Sequence, residues 1–182
     1  MPGWLNGQSA CLENRCPQGL TGSNPVPGVI KMSKQGKKMR KGIATLIYFE
    51  NAGGKNEFLL LKRKLNWNGW EWCKGGIKKG ENEFEAAERE MKEETGRKSG
   101  LVMKKTPFVQ SFNYQKEFVK DKKEVSGTRN FVFLVRFLDK KVKFDKKEHS
   151  DCRWFNKKDV LKKITWPDQK KIFEKAIRKY KL

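Results

Sequence analysis

From residue 42 onward, apolar residues fall in short runs separated by Gly, Asn and Lys. Gly42 to Glu50, GIATLIYFE, is rich in β-branched and aromatic residues and reads as a strand. Asn51 to Asn56 carries Gly53-Gly54 and reads as a turn, and Glu57 to Arg63, EFLLLKR, as the second strand of a hairpin. Asn66 to Trp72, NWNGWEW, gives a turn and a short strand before a basic glycine loop, GGIKKG, at Gly75 to Gly80. A helix is predicted over Asn82 to Thr95, because Phe84, Ala87 and Met91 recur at i, i+3 and i+7 and mark a buried stripe. Gly96 suits the left-handed position just past its end. Lys34 to Lys41 reads as a solvated basic lead-in, Pro107 to Phe118 as a strand, and Lys120 to Gly127 as a polar turn. Asn130 to Leu138, NFVFLVRFL, is the most apolar strand and is placed at the centre of the sheet. Asp145 to Ser150 is a polar loop and Cys152 to Phe155 a short edge strand. Asp159 to Ile164 and Pro167 to Tyr180 read as helices, the second with Ile172, Phe173 and Ala176 inward, Thr165 as its cap and Pro167 in its first turn. Strands around a helix, followed by terminal helices, predict an α/β fold with a mixed β-sheet covered by helices.

A length of 182 residues supports one domain with a sizeable core. Residues 1 to 31 show neither helical nor alternating periodicity and read as a disordered leader, leaving 32–182 as the domain. Within the phrase GLTGSNPVPG, Gly-Ser-Asn-Pro can be encoded by a stretch that resembles the T-arm of a transfer RNA gene, which points to a mis-called start with translation from Met32 or Met39, a genuine flexible tail being the competing reading. No apolar run reaches the roughly 20 residues that span a membrane, and no secretory signal is visible, so the sequence predicts a cytoplasmic protein. The net charge of +21 favours polyanionic partners, nucleotides or RNA, although the excess is mostly Lys spread along the chain and reads first as compositional bias. Four cysteines show no zinc-ligand spacing, and His149 is the only histidine, so a Ser-His-Asp or Cys-His mechanism has little support.

Against this basic background, seven of the 21 acidic residues fall between Glu81 and Glu94. Glu90, Glu93 and Glu94 are spaced i, i+3 and i+4 and share a helix face. Three carboxylates crowded together repel one another unless a hard divalent cation, Mg²⁺ or Mn²⁺, binds them. The segment from Gly75 to Gly96 resembles the Nudix box, G-x5-E-x7-R-E-U-x-E-E-x-G-U. Gly75, Glu81, Arg89-Glu90-Met91, Glu93-Glu94 and Gly96 stand at its fixed positions, and the one departure is Arg97, where the pattern has an apolar residue.

The resemblance implies an α/β/α sandwich with a loop-helix-loop catalytic motif, and hydrolysis of a nucleoside diphosphate linked to another group. It implies that Glu90, Glu93 and Glu94 hold the metal together with the backbone near Gly75, that Arg89 orients them, and that Glu81 supports them. The general base is placed at Glu148, in the loop Glu148-His149-Ser150-Asp151, with Glu90 as the competing candidate and a plain surface role for Glu148 as the bland one. Trp70-Glu71-Trp72-Cys73-Lys74-Gly75 and Glu148 to Phe155 are similar to segments of the bis(5′-nucleosyl)-tetraphosphatase branch, with Cys73 where a proline is common. That likeness implies substrate contacts from Lys74, Tyr114, Arg129 and His149. The leading expectation is asymmetrical cleavage of diadenosine tetraphosphate to ATP and AMP. An RNA 5′-end pyrophosphohydrolase or decapping enzyme, aided by Lys78-Lys79, is the second, and a catalytically silent nucleotide- or RNA-binding domain the third. Oligomeric state is left open.

Overall fold

The computed structural model describes residues 38–97, 101–114 and 125–182. The leader and the proposed start at Met32 lie outside them. Seven strands form one mixed sheet in the order β3-β2-β1-β6-β5, with β4 also on β1 and β7 also on β2. The strands are β1 (Lys38–Glu50), β2 (Asn56–Arg63), β3 (Gly69–Glu71), β4 (Cys73–Gly76), β5 (Leu101–Asn113), β6 (Val125–Phe137) and β7 (His149–Asn156). The helices are α1 (Glu83–Thr95), α2 (Lys157–Lys163) and α3 (Pro167–Tyr180).

Strand alternation produces the layers. Ile43 and Ile47 of β1 point to one face and pack with Leu59, Leu61, Phe133, Val135 and the α1 residues Ala86, Ala87 and Met91. Ala44 and Leu46 point to the other and meet Phe58, Leu60, Val132 and the α2–α3 residues Val160, Phe173 and Ile177. The result is the α/β/α sandwich that the sequence predicted. β1 and β6 run parallel, with Ala44 opposite Val132, and the other pairings are antiparallel.

Several boundaries differ from the sequence reading. Lys38 to Lys41 are the start of β1, because the backbone of β6 offers them a parallel partner from Val125 to Arg129. Val125 to Gly127, expected in a turn, therefore belong to β6. β5 begins at Leu101 rather than Pro107, its first residues up to Lys105 pairing with Phe137 back to Phe133 on β6. The expected strand residues 115–118 lie outside the described residues. β7 is an eight-residue strand, longer than Cys152 to Phe155. Phe84 is 46% exposed, and the buried side of α1 is Ala86, Ala87 and Met91 with Glu94 and Thr95. Thr165 does not cap α3. The N-cap is Trp166, without a side-chain bond, and the Thr165 hydroxyl instead accepts from the Trp70 N–H at 2.9 Å.

Candidate active site

The site is built where β4 hands the chain to α1. Asn82 caps α1 with a reciprocal capping box to Glu85, and Gly96 closes it at φ 70°. This rigid helix carries Arg89, Glu90, Glu93 and Glu94 against a cleft of about 560 Å³. Lys74, Gly75, Gly76, Lys78, Tyr114 and Glu148 line the same cleft.

Arg89 organises the carboxylates. Its guanidinium donates to Glu81 Oε1 at 2.5 Å and Oε2 at 3.0 Å, to Glu90 Oε1 at 2.7 Å and to Glu93 Oε2 at 3.1 Å. A fifth bond, 2.8 Å, goes to the Gly76 carbonyl and ties the helix to β4. A planar fork with five donors serves this arrangement where an ammonium could not. The Arg89 bonds, with the Lys78 N–H, hold the Glu81 carboxyl down at about 2. Glu81 is thereby a fixed anion that locks Arg89.

The other carboxylates sit differently. Glu94 is 6% exposed and accepts from the Lys74 backbone N–H at 3.2 Å. Burial pushes its pKa up to about 8, with the Cys73 thiol hydrogen bond opposing and the Glu71 and Glu90 charges adding. Glu90 is also raised, first by burial, and Arg89 opposes the rise. Glu93 stays half-exposed, with Lys78 Nζ at 3.6 Å. The Glu90 carboxylate lies flat on Gly75, where a Cβ would meet its atoms at 1.9–2.2 Å. Only glycine leaves that cradle open.

Among the described residues, no three such groups converge as a ready cation cage, since Glu90 and Glu93 are turned onto Arg89. The donors themselves fit a hard divalent cation. They are all oxygens, and the buried Glu94 carboxyl, pushed up to about 8, ionises more readily beside added positive charge.

A loop from residue 139 to 148 closes the site by docking on the end of α1. Lys143 and Asp145 donate their N–H groups to the carbonyls of Thr95 and Glu94. Glu148 is held by the N–H groups of Lys64 and Leu65 on its carbonyl, while its carboxylate pairs with Arg63 at 2.7 Å. His149, expected at the substrate, is instead 1% exposed and does not line the cleft. As the first residue of β7 it faces inward, and burial depresses its pKa to about 4. Arg129 is exposed, stacks on Phe131 and does not line the cleft either. Alternation along β6 explains this, since Thr128 and Asn130 are the neighbours that do line it.

Arg97 has a physical place despite its departure from the box. Its guanidinium lies 5.2 Å from the Phe137 ring centroid and pairs with Asp139 at 3.0 Å, so a stacked cation covers the ring.

Sequence reasoning missed much of the cleft wall, above all Arg40, Arg63, Trp67 and Phe112, and with them Asn66, Thr128, Asn130 and Asp145. Arg40 was hidden among lysines, and its guanidinium crosses Gly76 so closely that a Cβ there would meet Nη2 at 1.9 Å. An arginine within a Lys-rich lead-in was the available signal.

A family model described as NUDIX domain matches residues 40–176. A protein of a Nitratiruptor species named RNA pyrophosphohydrolase is 30% identical over 144 residues, 76% of this chain and 93% of the relative. One of the same name from Helicobacter pylori is 27% identical over 149 residues, 80% and 95% of the two chains. Among solved structures, a binary complex of the C. elegans Ap4A hydrolase superposes with a TM-score of 0.64 at 24% identity, covering 78% of this chain and 98% of that one. The E. coli dihydroneopterin triphosphate pyrophosphohydrolase gives 0.64 at 18% identity, covering 79% and 99%. At these identities the structural likenesses carry the fold.

Proposed function

This chain belongs to the NUDIX domain family of pyrophosphohydrolases, and from that premise we propose that it removes pyrophosphate from the 5′-triphosphate end of RNA. The observation that carries the reading is the cationic wall facing the carboxylate helix. Arg40, Arg63, Lys74 and Lys78 line one open cleft, and among the described residues Arg40 has no carboxylate partner. The near full-length relatives named RNA pyrophosphohydrolase support the same reading. Asymmetrical cleavage of diadenosine tetraphosphate is the second reading, favoured by the aromatic residues Phe112 and Tyr114 in the cleft.

Glu90, Glu93 and Glu94, with the backbone at Gly75, would hold Mg²⁺ or Mn²⁺. The metal supplies neutralisation of the polyphosphate and a lowered pKa for water. The protein's own groups do the rest. Arg40, Arg63 and Lys78 draw in the polyphosphate, and Arg89 keeps Glu90 and Glu93 in position. Glu148 accepts the proton of the attacking water: it lines the cleft, is partly exposed, and is aimed by its pair with Arg63. Water adds to phosphorus, the anhydride P–O bond breaks, and pyrophosphate leaves with RNA 5′-monophosphate remaining.

The test offers the protein, with Mg²⁺, 5′-triphosphate RNA and diadenosine tetraphosphate separately. Higher kcat/KM for the RNA, with pyrophosphate as product, is expected. ATP and AMP from the dinucleotide with the RNA untouched would establish the second reading instead.

A further inference from the structure

Beside the carboxylates, the lining of the same cleft includes an aromatic part. Trp67 and Phe112 line it, one from the β2–β3 turn and one from β5. The Lys74 ammonium stands among them, 5.6 Å from the Trp67 ring centroid, 5.9 Å from Phe112 and 6.0 Å from Trp166. It is also ion-paired to Glu71, which is fully buried. Lys74 is thereby held among the rings.

Trp67 is fixed before any ligand arrives. Asn66, just before it, adopts φ 68°, the left-handed conformation of a tight turn. Gly69 makes room for it: a Cβ there would stand 2.6 Å from the Trp67 ring and 2.4 Å from Thr165 Oγ1. Trp166 backs the ring edge-on at 4.7 Å. Trp70 and Thr165 exchange two hydrogen bonds, of 2.9 and 3.0 Å, and clamp the turn to the α2–α3 junction. Phe112 is likewise braced, edge-on to Tyr114 at 6.0 Å. Preformed aromatic walls bind a flat ring without an ordering penalty.

We propose that Trp67, Phe112 and Lys74 form a nucleobase slot that selects guanine over adenine. An ammonium only donates hydrogen bonds. Guanine presents two adjacent acceptors, O6 and N7, on one edge, whereas adenine sets an N6 amino donor beside N7. Methylation at N7 removes one of those two acceptors and sets a methyl group against the ammonium, so N7-methylguanine is rejected. This deepens the proposed reading and rests on it for a nucleotide substrate, while its test is a binding measurement independent of turnover.

The full chain with Mg²⁺ is titrated, by tryptophan fluorescence, with the β,γ-methylene analogues of GTP, ATP and N7-methyl-GTP. The GTP analogue is expected to bind about tenfold tighter than either of the others. Trp67→Ala weakens the GTP and ATP analogues together, by about tenfold, and Trp67→Phe restores most of that. Because Lys74 neutralises buried Glu71, its test is the double variant Lys74→Met/Glu71→Gln. That variant abolishes the guanine preference while keeping the stacking contribution. Equal affinities in the unsubstituted protein, or a Trp67→Ala variant that binds as tightly, overturns the slot. A double variant that weakens both analogues equally reassigns Lys74 to phosphate. Guanine-selective binding with no hydrolysis of triphosphate RNA leaves the slot standing and removes the proposed function.

Discussion

At the residue scale, the glutamates of the box differ in physical state although they stand within one short segment, Glu81 just ahead of α1 and the others on it. Glu81 is a locked anion, Glu93 is solvated, and Glu94 is buried with its pKa near 8. Glu94→Gln keeps the shape and the Lys74 N–H contact but removes the charge that a cation would meet. Mg²⁺-dependent hydrolysis is expected to fall by at least about 100-fold, the scale of several kcal/mol that a correctly held metal contributes. The midpoint of thermal unfolding should not drop, because a neutral amide avoids placing a charge in a buried site. A steady-state assay and a melting curve on one preparation check both. Retained activity would remove Glu94 from the metal site. The i, i+3, i+4 spacing was enough to place these carboxylates on one helix. What the spacing hid was the burial of Glu94, beside Cys73 and Glu71 of other strands.

At the element scale, the β2–β7 pairing brings Arg63 opposite His149 and aims Glu148 at the cleft from the turn just before β7. The cost is a buried imidazole whose ring nitrogens have no hydrogen-bond partner. Asp145, Glu148 and Arg63 all act on its proton affinity, and burial prevails to set it at about 4 against the ordinary 6.5. Between those values the unfolded chain binds the extra proton and the folded one does not. This group therefore takes stability away as pH falls from 6.5 to about 4, and nothing further below. Urea unfolding at about pH 7 and about pH 4.5 should show a smaller pH-dependent loss for His149→Met than for the unsubstituted chain. An equal loss in both would mean that the imidazole is charged in the folded state. Helix α1 and the β1–β2 hairpin were legible from periodicity because their signals are local. His149 and Trp67 were not, since a polar loop and a turn say nothing of which neighbours close over them. The start of β1 and the first residues of β6 were likewise hidden, because each polar stretch becomes a strand only through the other.

At the scale of the whole molecule, the charge of +21 coexists with an acidic helix face inside a basic rim. Such a field draws polyanions and is screened by salt. Binding of 5′-triphosphate RNA should weaken with salt, the slope of log K against log salt lying near about 0.7 per phosphate contacted. Arg40→Ala should reduce that slope by roughly one contact while leaving the fold intact. Filter binding at several salt concentrations measures it, and an unchanged slope would show that Arg40 touches no phosphate. The parallel register of β1 with β6 has a different consequence. Residue 44 emerges from the ribosome long before its partner 132. Until then β1, with Ile43 to Tyr48 at its core, has one flank open, and the carboxylate helix sits on an unfinished floor. Pairings this distant in sequence are slow to close and expose apolar edges meanwhile. The protein's vulnerable period is therefore its synthesis, and the hairpin of β1 and β2, complete by residue 63, is the portion able to shelter that strand while the remainder is made.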